Sequence, residues 1–159
     1  MAIADIAHRS GMQFVALIVG LLLSMVVITG FEGLSIVLNH EEYARGLPDR
    51  MPEFAAGVVL VGYIVGTSVA AFVMCHISGK SMVASLFLAV ALTAAQYVHY
   101  SHQIILEAEG RKKRALEPLW FHMIAIACFL PAAIIGCRIA KVSARTAQQQ
   151  VPAAKLKSS

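Results

Sequence analysis

The chain has 159 residues, 58% of them hydrophobic and only 14% charged, with a net charge of +4. A soluble domain carries roughly 45–50% apolar and about 25% charged residues, so this composition excludes a fold whose whole surface meets water. Once the apolar spans are set aside, no length is left for a soluble catalytic domain, and no basic surface interleaved with aromatics remains to bind nucleic acid.

Residues 14–38 form the first apolar span, long enough at about 1.5 Å per residue to cross a bilayer with some tilt, and Glu32 is its only charged residue. The span is too long for a signal-peptide core and lacks a small-residue cleavage site, so it is expected to be retained. Residues 39–53 are a polar loop in which Gly46, Pro48 and Pro52 break helical continuity, and Pro52 stands where the next helix should begin. Residues 54–75 are uncharged and predict the second span. A tight turn at 76–81, containing Gly79 and Lys80, leads into a third uncharged span at 82–100, and the two are expected to form an antiparallel hairpin. The loop at 101–118 carries Glu107, Glu109 and the run Arg111, Lys112, Lys113 and Arg114, with the third helix expected to continue amphipathically toward Gly110. Residues 119–139 are the fourth span, in which Pro131 predicts a kink or a loosened ladder that could serve as a hinge.

The sequence therefore predicts an all-α membrane fold, an antiparallel four-transmembrane-helix bundle within residues 1–148. The Gln, Ala, Lys and Ser of the tail at 149–159 predict disorder. Four crossings put both termini on one side. The Lys and Arg residues divide almost evenly between the two sides, but most acidic residues lie in the first and third loops. On that balance the termini are expected in the cytoplasm, with the Arg111 to Arg114 run as the evidence against. The clustered basic residues suit anionic lipid headgroups. Cys75, Cys128 and Cys137 lie in or at the ends of apolar segments without CxxC spacing, and read as small packing residues.

In lipid, helices gain little from the hydrophobic effect and associate through small residues and interhelical hydrogen bonds, so each span should turn a small or polar stripe inward. At 100° per residue the first span aligns Gln13, Gly20, Ser24, Glu32, Ser35 and Asn39. The second aligns Gly62, Gly66, Ala70 and His76, the third Ser85, Ala89, Thr93, Gln96, His99 and Gln103, and the fourth His122, Ala125, Ala133, Gly136 and Ala140. Gly62, Gly66, Ala133 and Gly136 are the expected close-packing positions.

Glu32 is the most informative residue, because an acid in hydrocarbon costs about 2.5–3.5 kcal/mol even on insertion scales and must find a partner or keep its proton. By the helical rise it lies roughly 9 Å inside the span boundary, at a depth similar to Gln96, His99 and His122. These four are the expected polar cluster. It reads as a hydrogen-bonded knot fixing helix register, as a proton or ion relay, or as a metal or haem site drawing on His99, His102, His122 and His40. Trp120, Tyr97, Tyr100 and Phe121 are expected to form an interfacial aromatic belt. Cys75, His76 and Cys137 are expected to gather near the opposite surface as packing residues.

Pro118, Leu119, Trp120 and Phe121, followed by Phe129, Leu130, Pro131, Ala132 and Ala133 and then Gly136, Arg138 and Ala140, resemble the last helix of a family of uncharacterised bacterial four-helix membrane proteins. Glu32 between Phe31 and Gly33, and the glycine- and alanine-rich stretch from Gly62 to Ala71, extend the resemblance. The first loop lacks the family's proline-rich run, and no His-Pro precedes Trp120. The resemblance implies this architecture and a bacterial inner (cytoplasmic) membrane, with no assigned activity.

No GxSxG, HExxH or paired catalytic carboxylates are present, so the expected function is non-enzymatic. The first expectation is an accessory or assembly subunit that packs as a homo-oligomer or in a larger membrane complex, without a cofactor. The alternatives are a small proton- or ion-coupled transporter or channel using Glu32, and a membrane redox subunit binding haem or a metal.

Overall fold

The structure, a computed structural model, describes residues 2–44, 51–79, 81–110 and 117–156, with the backbone alone described for 2–9, 43–44 and 147–156. Among them run α1 (Ala2–Leu38), the short α2 (His40–Ala44), α3 (Glu53–Ile77), α4 (Met82–Ala108) and α5 (Leu119–Leu156). Four of these are long and apolar enough to span a membrane, over Ser10–Leu38, Glu53–Ile77, Met82–Ala108 and Leu119–Thr146. Gly46, Pro48, Lys80 and the run Arg111 to Arg114 lie outside the described residues.

The helix ends follow from local chemistry. Asn39 closes α1 by directing its side-chain Nδ2 onto the Ser35 carbonyl at 2.8 Å, and Glu41 and Glu42 then favour the positive N-terminus of α2. Pro52 sits at the start of α3, where a missing N–H costs nothing, and its carbonyl accepts from the Ala56 N–H. At the other end, Ser78 donates both its N–H and its hydroxyl to the Met74 carbonyl, and Gly79 takes φ +68° to turn the chain. Gly110, at φ +66°, stops α4 eight residues beyond the expected span boundary, so the amphipathic extension is helical as far as Ala108. α5 runs unbroken through Pro131 and on to Leu156. Its Ala, Gln and Lys content is helix-favouring.

Consecutive long helices alternate in direction, but chain neighbours are not the main packing partners. α3 packs along both α1 and α5, and α4 rests chiefly on α5. The expected hairpin of α3 and α4 exists as a connection and is a minor interface. Backbone proximity explains the preference. A Cβ added to Gly136 of α5 would collide with the Ser68 carbonyl of α3, and one added to Gly62 would collide with Phe31 of α1. Serines supplement these contacts, with Ser68 Oγ donating to the Ala132 carbonyl at 3.2 Å and Ser35 Oγ to the Ala55 carbonyl at 3.3 Å. Interhelical bonds of this kind contribute about 0.6 kcal/mol on average in a membrane, so close glycine packing dominates.

The polarity of the bundle is inverted relative to a soluble protein. Ser24, Ser35, Thr67, Ser85, Gln96 and His122 are buried, whereas Phe14, Val26, Phe87, Val90 and Met123 are each more than 60% exposed. Water would reject those outward faces, and hydrocarbon accepts them. The chain is an integral, multi-pass membrane protein.

The cysteines correct the sequence reading. Cys75 of α3 and Cys137 of α5 form a disulfide, with Cα atoms 5.5 Å apart, and Cys128 is free. Their sequence separation of 62 hid a pairing that the parallel course of α3 and α5 creates. Under denaturing conditions, the acid-quenched protein should accept one maleimide-polymer tag before reduction and three after it. Three tags without reductant would show that the bond does not form in the cell.

Candidate functional site

The end of the bundle where α1 and α4 finish and α5 begins holds a polar cluster. Gln96 of α4 and His122 of α5, both almost fully buried, join through Gln96 Nε2 and His122 Nδ1 at 2.7 Å. With the amide nitrogen donating, His122 Nδ1 is an acceptor, and the neutral ring carries its proton on Nε2. That nitrogen lies 3.4 Å from Glu117 Oε2, and among the described residues neither atom has a hydrogen-bond partner. The second Glu117 oxygen lies 3.6 Å from His99 Nε2, which also meets Gln103 Nε2 at 2.9 Å. Glu117 thus bridges a buried imidazole on α5 and a half-exposed one on α4. Tyr100 closes the far side of His122, with ring centroids 4.6 Å apart.

This cluster opens into a cavity of about 820 Å³ between α1 and α4, which meet over little of their length. Glu32, Gln96, His99, Gln103 and Glu117 supply its polar end, while Ile28, Leu92 and Phe129 contribute to its apolar wall. Of the four residues proposed from sequence, Glu32, Gln96 and His99 line the cavity, and His122 stands behind Gln96, bonded to it. Tyr63 of α3 also lines it, wedged against Phe121 and Phe129 with both ring centroids 5.6 Å away.

Other residues fall elsewhere. His102 and His40 are exposed, and among the described residues no three His, Cys, Asp or Glu side chains are arranged to hold a metal ion. His76, expected on the inner stripe of α3, is exposed at the opposite end, with Nδ1 3.2 Å from the Phe72 carbonyl. Of the expected aromatic belt, Trp120 and Tyr97 face outward, but Phe121 is fully buried in the core and Tyr100 turns onto His122.

Sequence reasoning missed Glu117 and Tyr63. Glu117 counted as one charge in a loop dense with charges, although its place just before Pro118, at the positive end of α5 and five residues from His122, was a usable signal. Tyr63 was hidden among apolar neighbours, beside the Gly62 that drew attention to helix packing.

Together the fold and cluster define a class, a multi-pass membrane protein with a carboxylate–imidazole site opening into a cavity within the bundle. Compared with models of known families, with curated proteins and with solved structures, the chain finds no match.

Proposed function

We propose that the protein is a small proton- or ion-coupled transporter or channel in which Glu32 exchanges protons with the His99, Glu117 and His122 group. The observation that carries this reading is Glu117, which touches histidines of two helices and borders the same cavity as Glu32. A carboxylate between two imidazoles gives a proton three adjacent sites on two helices, the arrangement that a relay needs. His99 is the outer station, with about half its side chain exposed, and His122 the inner one. Intramembrane carboxylates and histidines that pair in this way mark ion paths more often than they mark lipid-facing surface.

In proteoliposomes given a pH step, the wild-type protein should carry a proton flux that Glu32→Gln lowers by about a hundredfold, the scale on which a positioned proton-transfer group acts. Equal fluxes in the two, both at the level of protein-free vesicles, would sink the proposal. A resident haem or metal has no part in this reading, and an absorption spectrum with metal analysis checks that directly.

The accessory or assembly-subunit role, as a homo-oligomer or within a larger complex, is supported by the small size and short connections of the chain. Native extraction followed by identification of co-purifying proteins tests it. For location we propose the bacterial inner membrane with cytoplasmic termini, as the loop charges and the family resemblance suggest. In that orientation the Cys75–Cys137 bond lies toward the reducing compartment, where disulfides rarely persist, so the tagging experiment bears on orientation as well.

A further inference from the structure

We infer that Tyr63 carries the proton between Glu32 on α1 and Glu117 at the head of α5, its hydroxyl serving as the middle step of the relay. The role rests on the relay proposed above, which makes no use of this residue.

The placement comes from packing. α3, which bears Tyr63, lies along both α1 and α5 and so forms the wall between the two carboxylates. Gly62 precedes Tyr63 and Phe31 precedes Glu32, and these two neighbours meet so closely that a Cβ on Gly62 would run into the Phe31 side chain. On the other side the Tyr63 ring packs against Phe121, the residue before His122, with centroids 5.6 Å apart. Tyr63 is therefore held beside the neighbours of both ends of the relay. It lines the same cavity as Glu32 and Glu117 and lies within electrostatic reach of both.

The ring is also fixed in direction. Phe129 meets it edge to face, at 5.6 Å between centroids and 88° between planes, while Phe121 takes a tilted face. Only about 9% of the residue is exposed, so the ring is clamped and the hydroxyl is the part left to act in the cavity. Packing alone gives no reason for that hydroxyl, since phenylalanine serves the same cluster at 121 and 129.

The chemistry suits a transfer step. A proton moves over hydrogen-bond distances of about 2.6–3.2 Å, or through one water, so two carboxylates on separate helices need a group between them. A phenol both donates and accepts. When the protonated carboxyl on one side gives its proton to the phenol oxygen, the phenol gives its own O–H proton to the carboxylate on the other. The acid becomes a carboxylate, the carboxylate becomes an acid, and the tyrosine ends neutral, ready to repeat the step once its O–H has turned back. An ionised carboxylate offers about four lone-pair sites, so the hydroxyl can join Glu32 or Glu117 alongside whatever else binds them.

The test uses the full chain, in proteoliposomes given a pH step and in detergent for unfolding. Tyr63→Phe keeps the ring between Phe121 and Phe129 and removes the hydroxyl alone. It should lower the proton flux by about tenfold or more, with the midpoint of dodecyl sulfate unfolding unchanged. Tyr97→Phe removes a hydroxyl from the outward, exposed side of α4 and should keep the wild-type flux. Infrared difference spectra report the hydroxyl's own bond. The C=O stretch of the protonated carboxyl, identified by its loss in Glu32→Gln or Glu117→Gln, should move to higher frequency in Tyr63→Phe as a donor is lost.

Wild-type flux in Tyr63→Phe, or a carboxyl band that this change leaves in place, would overturn the inference while the relay of Glu32, Glu117 and the histidines stands. Should the unfolding midpoint fall together with the flux, the infrared band decides between lost packing and lost proton transfer. Wild-type flux no greater than that of protein-free vesicles would remove the relay itself, and the role of Tyr63 with it.

Discussion

Gly136→Leu is expected to unfold or badly loosen the bundle, lowering the midpoint of detergent-induced unfolding more than any substitution in the polar cluster. Gly136 faces α3 so closely that even a Cβ would run into the Ser68 backbone carbonyl and lie 3.1 Å from the Ala71 Cβ. A flexible side chain could turn aside, but a carbonyl held in the helix ladder cannot, so the axes of α3 and α5 must separate. Separation lengthens the bond from Ser68 Oγ to the Ala132 carbonyl and pulls on the Cys75–Cys137 link in the same interface. Overpacking in a close-packed core costs about 1–3 kcal/mol for a few methylenes, and here one residue adds a whole isobutyl group against backbone. Gly57 provides the control, because a Cβ there meets nothing within 4 Å. Gly57→Leu should leave the unfolding midpoint close to that of the wild type, measured by circular dichroism during titration with dodecyl sulfate. Similar midpoints for the two variants would show that close approach at Gly136 does not hold α5 to α3.

The same interface shows what was legible in the sequence. Span positions follow from uninterrupted apolar runs, and inward faces follow from the few small and polar residues on each helix, since in lipid polarity marks the interior. Ser24, Ser35, Ser85, Gln96 and His122 are all buried on those grounds. His76 broke the rule because it lies at a helix end, where an imidazole can reach interfacial water, and its ring packs against Phe72 on its own helix. Helix order was not legible. A stripe at 100° per residue tells which side turns inward but not which neighbour it meets, so α4 was expected against α3 when its main partner is α5. The disulfide and the Glu117 bridge depend on that order and were hidden with it. The cavity is a further consequence, since α1 and α4 flank it and their mutual contact is slight.

Substitutions at Gln96 and His122 separate a structural knot from a working relay. His122→Leu removes the partner of the Gln96 amide and leaves that group unsatisfied at a buried position. Each buried, unsatisfied group costs about 1–3 kcal/mol, so this variant should be clearly destabilised in the detergent titration. Gln96→Leu should also destabilise, because it strands His122 Nδ1. The double variant Gln96→Leu with His122→Leu strands neither partner of that bond and should cost less than the sum of the single changes. The shortfall measures the coupling, expected between about 0.6 and 1.7 kcal/mol for an interhelical hydrogen bond in a membrane protein. Strict additivity would mean that the 2.7 Å contact does not stabilise the bundle. The relay makes a different demand. Apolar replacement can recover much of the packing energy, but leucine cannot hold a proton beside Glu117. If the cluster serves only to fix helix register, the double variant should recover whatever the single variant lost, in stability and in flux alike. If His122 carries protons, stability recovers and flux stays near the level of protein-free vesicles, because the inner station facing Glu117 is gone.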